Sequence, residues 1–167
     1  MERYTITDHK TIGFEGYFRP DEFLKELKGF LKERKYFPFV AKNYEEVLES
    51  GLQIQMEIKA TRKVSHYVKK EIFIRVKMIR LKEELIEIDG TQRKYFHGKV
   101  SLDCDSALQT DMKAQYDKSG WLYLLRIIND KFIRRDWIDS AKDEVDEDLH
   151  DMLEHVSSYL NMIRFKQ

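Results

Sequence analysis

The chain has 167 residues, enough for one domain with a real core and too few for two ordinary ones. Its 30 basic and 30 acidic side chains cancel, so no overall field gathers nucleic acid or an anionic membrane around it. A single cysteine, Cys104, excludes an internal disulfide framework and argues against a cysteine-built zinc site.

Apolar residues at 42% and charged residues at 36% place the chain among ordinary folded proteins and away from disorder. No linker, repeat or low-complexity tract divides it, so the expectation is one domain over residues 1–167. The longest apolar run, Trp121 to Leu125, is far too short to span a membrane. Met1-Glu2-Arg3 does not open a signal peptide, which points to a cytoplasmic protein.

Residues 3–18 alternate as a strand, with Ile12, Phe14 and Phe18 on one side and Thr11, Glu15 and Tyr17 on the other. Gly13 and Gly16 interrupt the pattern and suggest a bulge or a close backbone approach there. Pro20 suits the first position of a helix whose apolar stripe is Phe23, Leu24, Leu27, Phe30 and Leu31, and Tyr36-Phe37-Pro38 should stop it. From Val40 to Met112 the pattern predicts an antiparallel meander of five or six strands. Ser50-Gly51 and Asp89-Gly90 are its turn signals. Leu52, Ile54, Met56, Ile58 and Ala60 turn inward in one strand, and Ile72, Ile74, Val76 and Met78 in the next. Glu84 to Ile88 and Arg93 to His97 read as a separate hairpin. The last strand sets Val100, Leu102 and Cys104 against Ser101, Asp103 and Asp105.

Trp121 to Ile133 is read as a helix, with Trp121, Leu124, Leu125, Ile128 and Phe132 on its core stripe. Leu122, Tyr123 and Ile127 give it a second apolar side, suited to internal docking or to a homodimer contact. Asp136 to Phe165 carries Ile138, Ala141, Val145, Leu149, Met152, Leu153, Val156, Tyr159, Leu160 and Ile163 at spacings of three and four. Its start is capped by Asp136 or by Ser140. Such a helix, about 40 Å long, needs a sheet to cover its stripe.

The order of strand, helix, long antiparallel meander and amphipathic C-terminal helix resembles the helix-grip domains of the START and polyketide-cyclase-like kind. The resemblance implies an α+β fold, with a curved antiparallel sheet of about six to seven strands around the long C-terminal helix. It also implies an apolar ligand cavity between sheet and helix. The runs Thr11-Ile12-Gly13-Phe14-Glu15-Gly16, Phe23-Leu24-Lys25-Glu26-Leu27 and Leu31-Lys32-Glu33-Arg34 are also similar to a set of short uncharacterised archaeal proteins, which carry no function with them.

Candidate chemistry is sparse. His150 with Glu154 and Asp151 with His155 are helical neighbours able to face one ion, but the two histidines stand about 140° apart around the helix, so no metal is expected. Asp103 and Asp105 share a strand face as a carboxylate pair would, and the simpler reading has them facing water. Cys104 points inward as a small hydrophobe. His9, His66 and His97 fall at expected strand ends or turns. Tyr67, Lys69, Phe73, Arg75 and Lys77 interleave rings and cations as a nucleic-acid platform does, yet Glu57 and Glu71 dilute them and nucleic acid is not favoured. The acidic run Asp143 to Asp151 reads as capping and solubility, or as a surface for a basic partner.

The functional expectation is a non-catalytic domain that binds an apolar small molecule without a cofactor. Phe14, Met56, Met78, Cys104, Met152, Val156 and Tyr159 would line the cavity. The alternative is a protein- or RNA-interaction module, possible as a homodimer, with no cavity.

Overall fold

Alternation over the N-terminal residues makes β1, Glu2–Phe18, which buries Phe18 and half-buries Ile12 and Phe14. The computed structural model describes residues 2–65, 67–88, 90–110, 124, 128 and 135–164, with side chains for all of these except 2, 88, 135, 163 and 164. Pro20 opens α1, Pro20–Glu33, where its missing N–H costs no hydrogen bond, and Phe23, Leu27 and Leu31 form the buried face. The helix stops before the expected Tyr36-Phe37-Pro38 stretch, at a Schellman turn. Lys35 takes a left-handed conformation (φ 63°), its N–H donates to Lys32 O at 2.9 Å, and Tyr36 N–H donates to Leu31 O at 2.8 Å.

Four strands follow: β2 Phe37–Leu48, β3 Gly51–Lys63, β4 Val68–Ile88 and β5 Thr91–Thr110. The last described element is α2, Arg135–Arg164, the 30-residue helix of the apolar stripe. The sheet is antiparallel in the order β1-β5-β4-β3-β2. Among the described residues it has five strands, where about six to seven were expected. The supposed hairpin of Glu84 to Ile88 with Arg93 to His97 is the far end of β4 and β5, whose pairing runs on to Ile88 opposite Thr91.

A bulge between Ile79 and Lys82, with Arg80 at φ 56°, carries the strand past the point where sequence suggested a break. Gly98 sits there because a Cβ would fall 2.9 Å from Ile79 O. In β1 the irregularities lie between Thr5 and Lys10, not at Gly13 or Gly16, which pair in register with Ser101 and Gly98. The β2–β3 turn is Glu49-Ser50, one residue earlier than Ser50-Gly51, and Gly51 opens β3.

One face of the sheet is covered by the helices. Ile138, Ala141, Val145, Leu149, Met152, Leu153, Val156 and Leu160 of α2 are buried, and the helix lies over β1, β5 and β4 and beside α1. Residues 121–133 lie mostly outside the described residues, including Leu122, Tyr123 and Ile127, as do His66 and Met112. Leu124 and Ile128 are helical, but about half exposed where a core stripe was expected. Ser140 lies inside α2, so of the two expected caps only Asp136 falls in its first turn.

Candidate functional site

Three groups of side chains outside the plain apolar core merit a functional reading: the acidic turns of α2, the outer face of the sheet, and the seam between β1 and α2.

The acidic run from Asp143 to Asp151 turns out to be tied to the rest of this chain. Asp148, 5% exposed, accepts the Tyr36 hydroxyl at 2.9 Å and Arg34 Nη1 at 3.3 Å, with Arg62 Nη1 at 3.6 Å. Glu144 accepts from Lys70, an inward β4 lysine with only 1% exposure, and that bond holds the Glu144 carboxyl below its usual range. Thr7 donates to Asp146, and Arg34 also reaches Asp151. Burial, reinforced by Asp148, pushes the Tyr36 phenol well above the ordinary tyrosine value. These bonds dock the helix. Neither simple solubility nor an external basic partner accounts for the acids that make them.

On the outer face Asp103 and Asp105 are brought together as expected, but by a cation. Arg75 donates Nε to Asp103 Oδ2 at 2.9 Å and Nη2 to Asp105 Oδ2 at 2.7 Å. Burial works to raise Asp105, yet the His9 backbone N–H and the Arg75 guanidinium outweigh it and hold the carboxyl below its usual range. A like-charge pair would have raised one carboxyl instead. His9 is not at a strand end. It stands in the β1 bulge at φ 52°, and its bond to Asp103, with the charge of Asp8, raises its imidazole.

Asp8, His9 and Asp105 bring one possible metal-ligating atom each within 4.8 Å of one another. Arg75 Nη2 lies 3.4 Å from His9 Nδ1, so a guanidinium already supplies the positive charge there. Beside it, Phe73 is covered by Arg3 at 4.4 Å and Lys59 at 4.9 Å from its ring centre. Glu71, 2% exposed, takes Lys69 Nζ at 2.8 Å and Lys59 Nζ at 3.2 Å on Oε1 as ion pairs rather than directed hydrogen bonds. Burial works to raise the Glu71 carboxyl, and the two ammonium groups outweigh it and lower it. Lys69, Phe73 and Arg75 are thus occupied within the chain, and a nucleic-acid platform would have to displace those contacts.

The seam between β1 and α2 is different, because it leaves space. A cavity of about 60 Å³ is lined by Ile12, Gly13, Phe14, Leu102, Ser157, Leu160 and Asn161. A more open groove of about 340 Å³ adjoins it, lined by Lys10, Ile12, His150, Leu153, Glu154, Ser157, Ser158 and Asn161. Ile12, Ser157 and Asn161 belong to both, so the groove and the cavity adjoin. Ser157-Ser158 put two short side chains where the helix faces the edge strand, and the bulged start of β1 sets Lys10 at the rim. There Lys10 Nζ donates to His150 Nδ1 at 2.6 Å, and His150 Nε2–H faces Glu154 Oε1 at 3.2 Å. His155 points away, toward Glu26 at 3.3 Å and the Phe30 ring, so the two α2 histidines diverge as their spacing implies.

Of the residues expected to line a cavity, Phe14 lies on the one just described. Met56, Met78, Cys104, Met152 and Val156 are buried in the main core, against which Phe14 and Tyr159 pack. Burial pushes the Cys104 thiol up to about 12, which keeps it protonated and unreactive. Tyr159 donates its hydroxyl to Glu22 at 3.3 Å and thereby ties α2 to α1. Sequence reasoning missed Ile12, Leu102, Ser157, Leu160 and Asn161 as a lining. The Ser157-Ser158 pair beside an apolar stripe is a signal that could have found it. Among the described residues no helix is long and apolar enough to cross a membrane. No protein-family model, curated protein or solved structure matches the chain.

Proposed function

We propose that the protein is a non-catalytic binding domain for a small, mainly apolar molecule, held in a helix-grip-like manner between the sheet and α2 and entered at the β1–α2 seam. The observation that carries this reading is the groove between β1 and α2, walled by Ile12 and Leu153, with a small cavity adjoining it at Phe14, Leu102 and Leu160. The groove, a few hundred cubic ångströms in volume with mainly apolar walls and a few polar side chains at its rim, has the character of small-molecule pockets. An apolar end would enter between Ile12 and Leu160, and a polar end would meet Lys10, His150 and Glu154 at the rim. The buried methionines Met56, Met78 and Met152 lie in the core beyond, where unbranched thioethers repack around a guest at little cost.

The test is native mass spectrometry of freshly purified protein, followed by titration with an environment-sensitive apolar dye. Wild-type protein is expected to carry a small molecule or to bind the dye at one saturable site. Ser157→Trp, which fills the wall shared by groove and cavity, should abolish that binding while the thermal midpoint is kept. A wild-type protein that carries nothing and binds no dye, or a Ser157→Trp variant that binds as well as wild type, overturns the proposal.

A further inference from the structure

The two edges of the sheet are treated differently. β1 is blunted: its ladder slips twice between Thr5 and Lys10, His9 is left-handed in the middle of the slip, and α2 packs over the strand. β2 is less protected, with α1 touching it, Pro38 near its start and a single bulge. It is twelve residues long, its ladder to β3 slips only between Val40 and Lys42, and from Lys42 to Leu48 every residue is exposed. Phe39 is 60% exposed, Tyr44 53% and Val47 83%, an unusual amount of apolar surface for a strand whose free side carries unpaired backbone donors and acceptors.

We infer that β2 pairs antiparallel with β2 of a second copy of this chain, joining the two five-stranded sheets into one continuous sheet across a twofold axis centred on Tyr44. A twofold axis perpendicular to the sheet keeps the helix-covered faces of both copies on the same side and opposes each residue to its mirror about the axis. The charges on the strand then choose the register. Centring on Lys42, Glu45 or Glu46 opposes a like-charged pair on the axis itself, which is destabilising. Centring on Asn43 sets Lys42 against Tyr44 and gives no ion pair.

Centring on Tyr44 opposes the two tyrosines and places Lys42, which within its own chain meets Glu57 at 3.0 Å, opposite Glu46 of the second copy twice over, once on each side of the axis. Among registers centred near the middle of the strand this one alone is complementary in charge. A short acidic or basic peptide of another protein would match one half of that pattern, whereas a second copy matches both halves.

Light scattering and sedimentation over a range of concentrations test this, with Glu46→Lys and the double variant Lys42→Glu/Glu46→Lys. Both side chains are exposed, and Lys42 gives up only a surface ion pair with Glu57, so both variants are expected to fold cooperatively. Wild-type protein should show twice the monomer mass. Glu46→Lys places lysine opposite lysine at two positions and should weaken the dimer about tenfold or more. The double variant restores opposite charges in this register only and should return the dissociation constant to within about threefold of wild type. A wild-type monomer at every concentration, a dimer indifferent to Glu46→Lys, or a double variant as weak as the single one would each overturn the inference.

Discussion

Replacing Asp148 by alanine tests how α2 is held against the rest of the fold. The carboxylate is almost fully buried and serves three partners: the Tyr36 hydroxyl at 2.9 Å, Arg34 at 3.3 Å and Arg62 at 3.6 Å. Tyr36 is itself 3% exposed, so its hydroxyl would lose its acceptor and gain no water, a cost of about 1–3 kcal/mol. The arginines are about a third or more exposed and re-solvate, so the pair contributes less than the roughly 3–5 kcal/mol of a fully buried ion pair. The sum is a loss of about 2–4 kcal/mol, or roughly 5–15 °C in thermal midpoint for a chain of this size. Tyr36→Phe removes donor and hydroxyl together and should cost only about 1 kcal/mol. In the double variant the Asp148→Ala penalty should shrink, because no orphaned hydroxyl remains. Urea unfolding with a shared slope reads all three values. An Asp148→Ala protein within about 0.5 kcal/mol of wild type would refute the reasoning, since that is the scale of an ordinary surface substitution.

Leu153→Ala removes a side chain that is 4% exposed between sheet and helix and should cost about 2–5 kcal/mol in the same unfolding assay; a loss under about 1 kcal/mol would show that the helix is not packed there. Gly51→Ala should cost about 1–3 kcal/mol, because Gly51 has φ 126° and a Cβ would lie 2.7 Å from Leu81 O; a neutral melt would contradict that close approach. The raised His9 imidazole means that the folded state holds its proton more tightly than the unfolded one. Its contribution is complete below the ordinary histidine value and fades as pH rises through the folded one, so NMR should find His9 titrating above about 6.5 and Asp103→Asn should bring it down. Tyr36 has the same sign at alkaline pH. Stability should fall as pH rises past about 10, with the Tyr36 ultraviolet transition appearing only on unfolding, and a transition at ordinary pH in folded protein would refute its burial.

Periodicity carried much of the fold because it reports directly which side of an element meets water. The α2 stripe, the inward residues of β3 and β4, Pro20 at the start of α1 and the inward Cys104 all follow from spacings of two, three and four. The number of strands did not follow. A bulge such as the one at Arg80 interrupts the ladder for one step and lets pairing resume beyond it while shifting the side-chain alternation, so one strand reads as two. Charge was misread for a related reason. Along the chain Glu144 and Asp148 look like any other carboxylates of an acidic helix face. Only folding brings Lys70 to Glu144, the Tyr36 hydroxyl to Asp148 and Arg75 between Asp103 and Asp105, across separations of 28 to 112 residues.

The candidate site was legible only in outline. The sequence determined that an amphipathic helix and a sheet must cover one another, and it marked Phe14 and the methionines as apolar surface between them. Which of those residues interlock and which leave a gap depends on the side chains that face them from distant parts of the chain. The bulged start of β1, the short Ser157-Ser158 pair and Leu102 open their space only when the strand and helix lie side by side. A single residue's identity fixes its own volume and polarity, but a cavity or a strand edge belongs to the arrangement, and tertiary packing alone decided where both of them lie.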